Sequence, residues 1–206
     1  MFTEDDLVEI TRKIHGTNAR YGIVKKRKLS ILDRIKKLFG NKWAGYEYVY
    51  GSHNVEKGSD SQGFYDIDVW AKIAEEYNIK NKLWYWVKNY TDDIGEGVIL
   101  YGEIYGEGIQ KGYDYGLKGM RFVGFDIKFN GEYMDQYEKY LTFAQIDLPN
   151  VECLYYGYWS QETQDKFVFN NFIEGTKVPH EGIVIKHISG ERNKVAKVIN
   201  PDYLIY

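Results

Sequence analysis

The chain has 206 residues, a formal net charge of −3 and one cysteine, Cys153. That length suits one domain with a substantial core or two small ones, and a lone cysteine excludes a disulfide framework and a cysteine-based zinc site and fits a reducing compartment. The slightly acidic balance excludes nucleic-acid binding driven by bulk charge, though not binding through a local basic patch.

The start, Met1-Phe2-Thr3-Glu4-Asp5-Asp6, is acidic and lacks a signal-peptide pattern, and no apolar run reaches the roughly 18 residues of a membrane span. Leu7-Val8-Glu9-Ile10 alternates and predicts a short strand leading to Lys13. Gly16 permits a tight turn and close backbone approach. A lysine placed here becomes a nucleophile only when burial or a neighbouring positive charge, a metal ion or Arg12, lowers its pKa. Taken alone, a Lys-x-x-Gly is far more often a surface lysine before a turn. Residues 19–24 read as the hairpin partner of the first strand. Lys25-Lys26-Arg27-Lys28 is a basic turn, either a solvated loop or a phosphate contact. Residues 29–39 have helical amphipathic spacing and stop at Gly40; this helix is expected to turn its lysines and arginine outward and extend the basic patch.

Residues 46–50 predict a strand, followed by a turn at Gly51-Ser52-His53-Asn54 and a polar loop over 58–63. Helices are expected over 67–77 and 80–89, with Trp70, Ile73, Ala74 and Tyr77 as core. Residues 97–105 read as a buried strand with one carboxylate, Glu103, which is costly there without a partner. It is either a strand-edge glutamate or a group aimed at a ribose or a metal, with Gly102 and Gly106 leaving room for a ligand. The glycine-rich stretch 106–112 lacks the Gly-Lys-Ser/Thr ending of a phosphate cradle. Residues 121–129 predict the next strand, in which Phe125 is either core or a stacking ring. The tyrosine content, 20 residues with 5 tryptophans, fits stacking surfaces as well as ordinary core filling. Residues 130–172 hold no motif; the stretch, with helix-like runs at 134–143 and 161–169, is expected to supply the second face of a cleft. The last strands are predicted at 179–186, where alternation puts Glu181 on the face of Ile183 and Ile185, and at 192–200, where Lys197 shares a face with Val195 and Lys194 takes the other. Pro201 ends the second of them.

Five of these segments together resemble a known set. Lys13-Ile14-His15-Gly16-Thr17-Asn18 resembles the nucleotidyl-lysine motif of covalent nucleotidyltransferases, the superfamily of ATP-dependent RNA and DNA ligases and mRNA capping enzymes. Its spelling is most similar to the RNA ligase 2 branch. Tyr101-Gly102-Glu103-Ile104-Tyr105-Gly106, Phe122-Val123-Gly124-Phe125-Asp126-Ile127, Glu181-Gly182-Ile183-Val184-Ile185-Lys186 and Lys194-Val195-Ala196-Lys197 resemble the later motifs, in the same order. Two positions depart from the pattern: His53 stands where the family often has arginine, and Val195 where it often has the first of two lysines.

The resemblance implies an α+β covalent nucleotidyltransferase (ATP-grasp-like ligase) fold, with antiparallel sheets flanked by helices and a nucleotide cleft between them. It implies that residues 1–206 are a single adenylyltransferase domain, with no OB-fold or C-terminal RNA-binding domain evident. Lys13 would attack the α-phosphorus of ATP to form lysyl-AMP, with Mg²⁺ or Mn²⁺ held by Glu181 and Glu103. Lys197 would contact the α-phosphate, while His15, Gly16 and Asn18 position phosphate or sugar. Phe125 would stack on adenine and Glu103 would sit near the ribose. AMP would pass to an RNA 5′-phosphate for joining to a 3′-hydroxyl, with a separate RNA-binding domain or protein as a further partner. The setting implied is the cytoplasm, including that of a phage-infected host. A DNA ligase or a capping-type enzyme is the alternative, weakened by His15 where those carry aspartate, and a catalytically retired RNA- or nucleotide-binding module is the other.

Overall fold

Successive elements are β1 (Leu7–Lys13), β2 (Thr17–Lys25), α1 (Ile31–Leu38), a 3₁₀ turn (Lys42–Gly45), β3 (Tyr46–Gly51), β4 (Glu56–Lys57), α2 (Val69–Glu76), α3 (Ile79–Tyr90), β5 (Gly97–Gly106), β6 (Met120–Phe129), β7 (Glu132–Tyr133), α4 (Gln136–Gln145), β8 (Cys153–Tyr158), α5 (Gln161–Val168), β9 (Gly182–His187), β10 (Val195–Ile199) and α6 (Pro201–Leu204). The structure is a computed structural model that describes residues 2–52, 56–57, 68–191 and 193–206. His53, Asn54 and the expected loop at 58–63 lie outside the described residues.

The strands form two antiparallel sheets, one of six strands in the order β4-β3-β2-β5-β6-β7 and one of four in the order β10-β9-β1-β8. β1 and β2 are therefore not the hairpin that the sequence suggests. Each has its own pair of neighbours: β1 lies between β8 and β9, β2 between β3 and β5. The reason is a division of apolar surface. Val8 and Ile10 of β1 pack with Ile183, Ile185 and Val168 in a small core under α5. Ala19, Tyr21 and Ile23 of β2 join Val98, Leu100, Phe122, Ile73, Leu83 and Trp86 in a larger core under α2 and α3. The link Ile14-His15-Gly16 carries the chain from one sheet to the other, and it passes so close to β5 that a Cβ on Gly16 would lie 2.2 Å from the Ile104 carbonyl oxygen. Each sheet thus turns one face to its helices and the other to a shared cleft.

Two further expectations change, and that for α1 is extended. α1 is capped by Ser30 and Asp33 in a reciprocal capping box, as its sequence favours. Its arginine and lysines do face outward, Arg34, Lys36 and Lys37 all being exposed, but the apolar stripe is exposed with them, at Ile31, Leu32, Ile35, Leu38 and Phe39, while Asp33 turns inward to pair with Lys26 at 2.8 Å. That inward ion pair fixes the roll of the helix. β8 is a strand that the motif-free stretch did not announce, because its tyrosines alternate on an outer edge, with Tyr156 and Tyr158 exposed, and leave no apolar period to read. The same stretch does not supply the second face of the cleft; the sheets do, and only Tyr133 and Val151 from it reach the lining.

Candidate active site

A cavity of 490 Å³ opens between the inner faces of the sheets. Alternation explains its walls. Residues of β1, β9 and β10 that point away from the small core line one side: Thr11, Lys13, Val184, Lys186, Val195 and Lys197. Asn18 and Arg20 of β2 with Tyr101 and Glu103 of β5 line the other. Phe125 also lines it. Of the residues singled out in the sequence, Lys13, Asn18, Glu103, Phe125 and Lys197 therefore share one cavity.

Lys13 closes β1 opposite Gly182 of β9, and its Nζ is 2.5 Å from Oε1 of Glu181. Strict alternation would put Glu181 with Ile183 and Ile185 on the small core. Gly182 cancels that rule. It adopts φ 147°, and a Cβ there would sit 2.1 Å from the Val198 carbonyl oxygen. Only glycine fits so close an approach at such a φ, and the kink turns the carboxylate to Lys13. The other oxygen of Glu181, Oε2, is buried with no hydrogen-bond partner among the described residues.

Glu103 accepts a hydrogen bond from the Gly16 N–H, and burial raises its carboxyl to about 7; Lys13 and Lys197 oppose that rise and Glu181 adds to it. The flanking glycines serve packing rather than ligand access. A Cβ on Gly102 would meet the Phe122 ring at 2.3 Å, and one on Gly106 the Gly119 carbonyl at 2.5 Å. Asn18 is anchored through its backbone oxygen, which accepts from the Trp70 indole N–H at 2.9 Å, while its side-chain Oδ1 is buried without a partner among the described residues. Lys197 is the cross-strand partner of Val184, whereas Lys194 faces away and pairs with Asp6 at 2.7 Å. Ser52, at the end of β3, is half-buried.

His15 lies beside this group rather than in the cavity wall. Its Nδ1 is 3.9 Å from Glu181, and its ring packs edge-on against Tyr113 and Tyr203, at 5.2 and 5.5 Å between centroids. Burial lowers its pKa, with Lys13 adding to the effect and Glu181 opposing it, which favours the neutral ring. The glycine-rich segment after β5 holds the turn on which His15 sits: the His15 N–H donates to the Tyr115 hydroxyl, and Gln110 Nε2 donates to the Gly16 carbonyl, both at 2.6 Å. The sequence reading assigned no role to Gln110, Tyr113 or Tyr115. Glycines alone signalled a loop, and nothing local showed that it returns to residue 15.

Phe125 reaches the cavity through a β-bulge. Tyr101 pairs with Asp126 and Gly102 with Gly124, so Phe125 is the extra residue. Bulges re-aim a side chain in this way, and regular alternation cannot foretell them. Lys186 carries a signal of its own in the sequence, since a lysine inside an apolar strand is as costly as Glu103 without a partner. It is 6% exposed and pairs with Asp126 at 2.5 Å.

The donor set suits a divalent cation in part. Glu181 Oε2 is an orphaned buried acceptor and Glu103 faces the same amine, yet no group of three or more ligand-type residues occurs among the described residues. Two carboxylates completed by phosphate oxygens and water match the habit of Mg²⁺.

A family model described as RNA ligase matches residues 6–199. No curated protein matches the chain. Solved structures of Naegleria gruberi RNA ligase are similar in fold. An arginine-to-alanine variant with ATP and Mn aligns at a TM-score of 0.71 and 19% identity, covering 98% of this chain and 52% of that one. The same ligase with PPi aligns at 0.69 and 19%, covering 97% and 51%. A lysine-to-methionine variant with AMP and Mn aligns at 0.71 and 18%, covering 98% and 52%. The chain spans about half the length of these chains. Among the described residues, no helix is long and apolar enough to cross a membrane.

Proposed function

The chain belongs to the RNA ligase family, and from that premise we propose that residues 1–206 act as one adenylyltransferase domain of an ATP-dependent RNA ligase. The observation that carries this reading is the placement of Lys13: its amine meets Glu181 at 2.5 Å, in a cavity shared with Glu103, Phe125 and Lys197. The base of ATP stacks on Phe125, and the ribose lies toward Asn18 and Glu103. Mg²⁺ or Mn²⁺ held by Glu181 and Glu103 supplies neutralisation of phosphate charge when bound. The amine of Lys13, once neutral, forms a P–N bond to the α-phosphorus as the bond to pyrophosphate breaks, and its proton leaves toward Glu181 and solvent. Lys197 stabilises the charge that builds on the α-phosphate oxygens. His15, held neutral by its tyrosine surround, offers a hydrogen bond beside the leaving phosphates, and Gly16 lets the turn approach them.

The second half of the reaction takes an RNA with a 5′-phosphate, which receives AMP, and a 3′-hydroxyl, which displaces it. A separate RNA-binding domain or protein is a fitting partner for this chain. The free, exposed Cys153 accords with a reducing cytoplasm, that of the cell or of a phage host.

Intact-mass spectrometry after incubation with ATP and Mg²⁺, and in parallel with GTP, tests the proposal. One AMP per chain from ATP is expected, with no adduct in Lys13→Ala or Lys13→Arg. An adduct that survives either substitution would overturn the assignment of the nucleophile.

A further inference from the structure

We infer that Lys186 is a positioning residue for the nucleobase: it clamps the bulge at Phe125 and thereby sets the angle of the ring on which the base stacks. The inference rests on the nucleotide reading of the cavity given above. Its basis is the geometry of one buried amine. Lys186 Nζ donates to the Phe125 carbonyl at 2.9 Å and to Asp126 Oδ1 at 2.5 Å, and it lies 5.7 Å from the centre of the Phe125 ring. All three contacts are made across the cleft, because Lys186 is on β9 of the four-stranded sheet and Phe125 and Asp126 are on β6 of the six-stranded one.

An acid also stands opposite it in its own sheet. Glu9 is the cross-strand partner of Lys186 in the β1–β9 register. That carboxylate is already engaged, however, by the buried amine of Lys139 at 2.9 Å and by the Tyr140 hydroxyl. The charge of Lys186 is thus released to β6. There it binds at the residue that the bulge removes from pairing with β5. A bulged residue has lost its ladder partner and with it one restraint on its orientation. The lysine restores that restraint from the opposite wall.

The test is a double-mutant cycle between Lys186→Met and Phe125→Leu, read as initial rates of AMP labelling over a range of ATP concentrations. Ribose 5′-triphosphate serves as a probe without a base. Lys186→Met is expected to raise KM for ATP about tenfold, inside the range that one base stack spans. Its kcat should stay within about threefold, as for a loss of binding felt equally in ground and transition states. Inhibition by ribose 5′-triphosphate should be unchanged, and in the Phe125→Leu background the lysine substitution should add nothing. Lys186→Arg, which keeps the cation and its donors, should recover most of the loss. If Lys186→Met does not fold, Lys186→Met with Asp126→Asn removes both charges together and carries the same expectation. Equal weakening of ATP and of the base-free probe, or effects that simply add to those of Phe125→Leu, would mean that Lys186 only holds the sheets together. Should the unsubstituted chain form no adduct with AMP, the nucleotide reading and this inference fall together. Labelling of the unsubstituted chain with an unaltered KM in Lys186→Met sinks the inference alone.

Discussion

The two sheets face each other across one cavity but are made differently. The six-stranded sheet takes its strands from a continuous span, β2 to β7, and rests on a broad core that includes Tyr21, Leu100, Phe122 and Trp86. The four-stranded sheet joins β1 to strands far along the chain, and its fully apolar support is Val8, Ile10, Val168, Ile183 and Ile185. Yet the amines of Lys13, Lys186 and Lys197 stand on this thinner sheet, and Glu181 immediately precedes its interior strand β9. The broader sheet contributes Asn18, Glu103 and the ring of Phe125. The amines are thus concentrated where apolar support is least, whereas the wall with the greatest support carries the cation Arg20 and the acids Glu103 and Asp126 beside its aromatic rings. The buried pairs Lys139–Glu9 and Lys186–Asp126 tie the thin sheet to α4 and to β6.

The comparison is sharpest at the proposed nucleophile: Lys13→Ala should abolish AMP labelling while leaving the thermal transition nearly unchanged, as measured by intact mass and circular dichroism. Next in size, Lys197→Ala should slow labelling by about 10²–10³-fold, the usual loss when one stabilising donor to a developing oxyanion is removed; single-turnover rates with labelled ATP would show it. Core truncations then test the unequal support directly. Ile185→Ala and Leu100→Ala should each cost about 2–5 kcal/mol. In urea, Ile185→Ala should lose labelling at a lower concentration than it loses far-UV signal, whereas Leu100→Ala should lose both together. Coincident midpoints in both variants would show that the sheets melt as one unit and break the contrast. Gly182→Ala should cost at least about 1–3 kcal/mol of strain at its φ, with the clash of its Cβ against the Val198 carbonyl added, and reduce labelling by misdirecting Glu181, an effect seen by comparing rates well below the melting temperature.

The smallest effects are in pH. Glu103 is raised from 4.5 to about 7 by burial. Between those values the folded chain keeps a proton that the unfolded chain has lost, so this contribution to stability is full below 4.5 and disappears as pH rises through 7. His180, on the four-stranded side, is lowered from 6.5 to about 4 by burial, with Arg12 adding to the effect. Its contribution has the opposite sense: it is present above 6.5 and is lost as pH falls toward 4. Melting temperatures measured without nucleotide should show that Glu103→Gln flattens the first slope and His180→Gln the second. Equal slopes in the variants and the unsubstituted chain would remove both assignments.

The sequence made the strands around Lys13, Glu103, Phe125 and Lys197 legible, because apolar alternation survives wherever one face meets a core. It also gave the helices around Ile73 and Leu83. It did not reveal the division into two sheets, since a three-residue link with Gly16 reads like a hairpin until the distant partners of β1 are known. Nor did it show which face Glu181 takes, which depends on one backbone angle at Gly182, or how Phe125 is aimed, which depends on a bulge opposite Tyr101. The apolar stripe of α1 likewise suggests a burial that the fold does not provide: Asp33 turns inward to Lys26, and the basic and apolar residues both face outward. In each case a local pattern was read correctly and a long-range contact or a single glycine then redirected it.

The placement of β1 between β8 and β9 has a temporal consequence. During translation Lys13 is synthesised long before Glu181, Gly182 and Lys197, so an incomplete polypeptide carries the proposed nucleophile with neither Glu181 nor the second amine beside it. Labelling by AMP would then mark only molecules whose synthesis has passed β10, and ribosome-stalled chains released at successive lengths would switch on abruptly rather than by degrees.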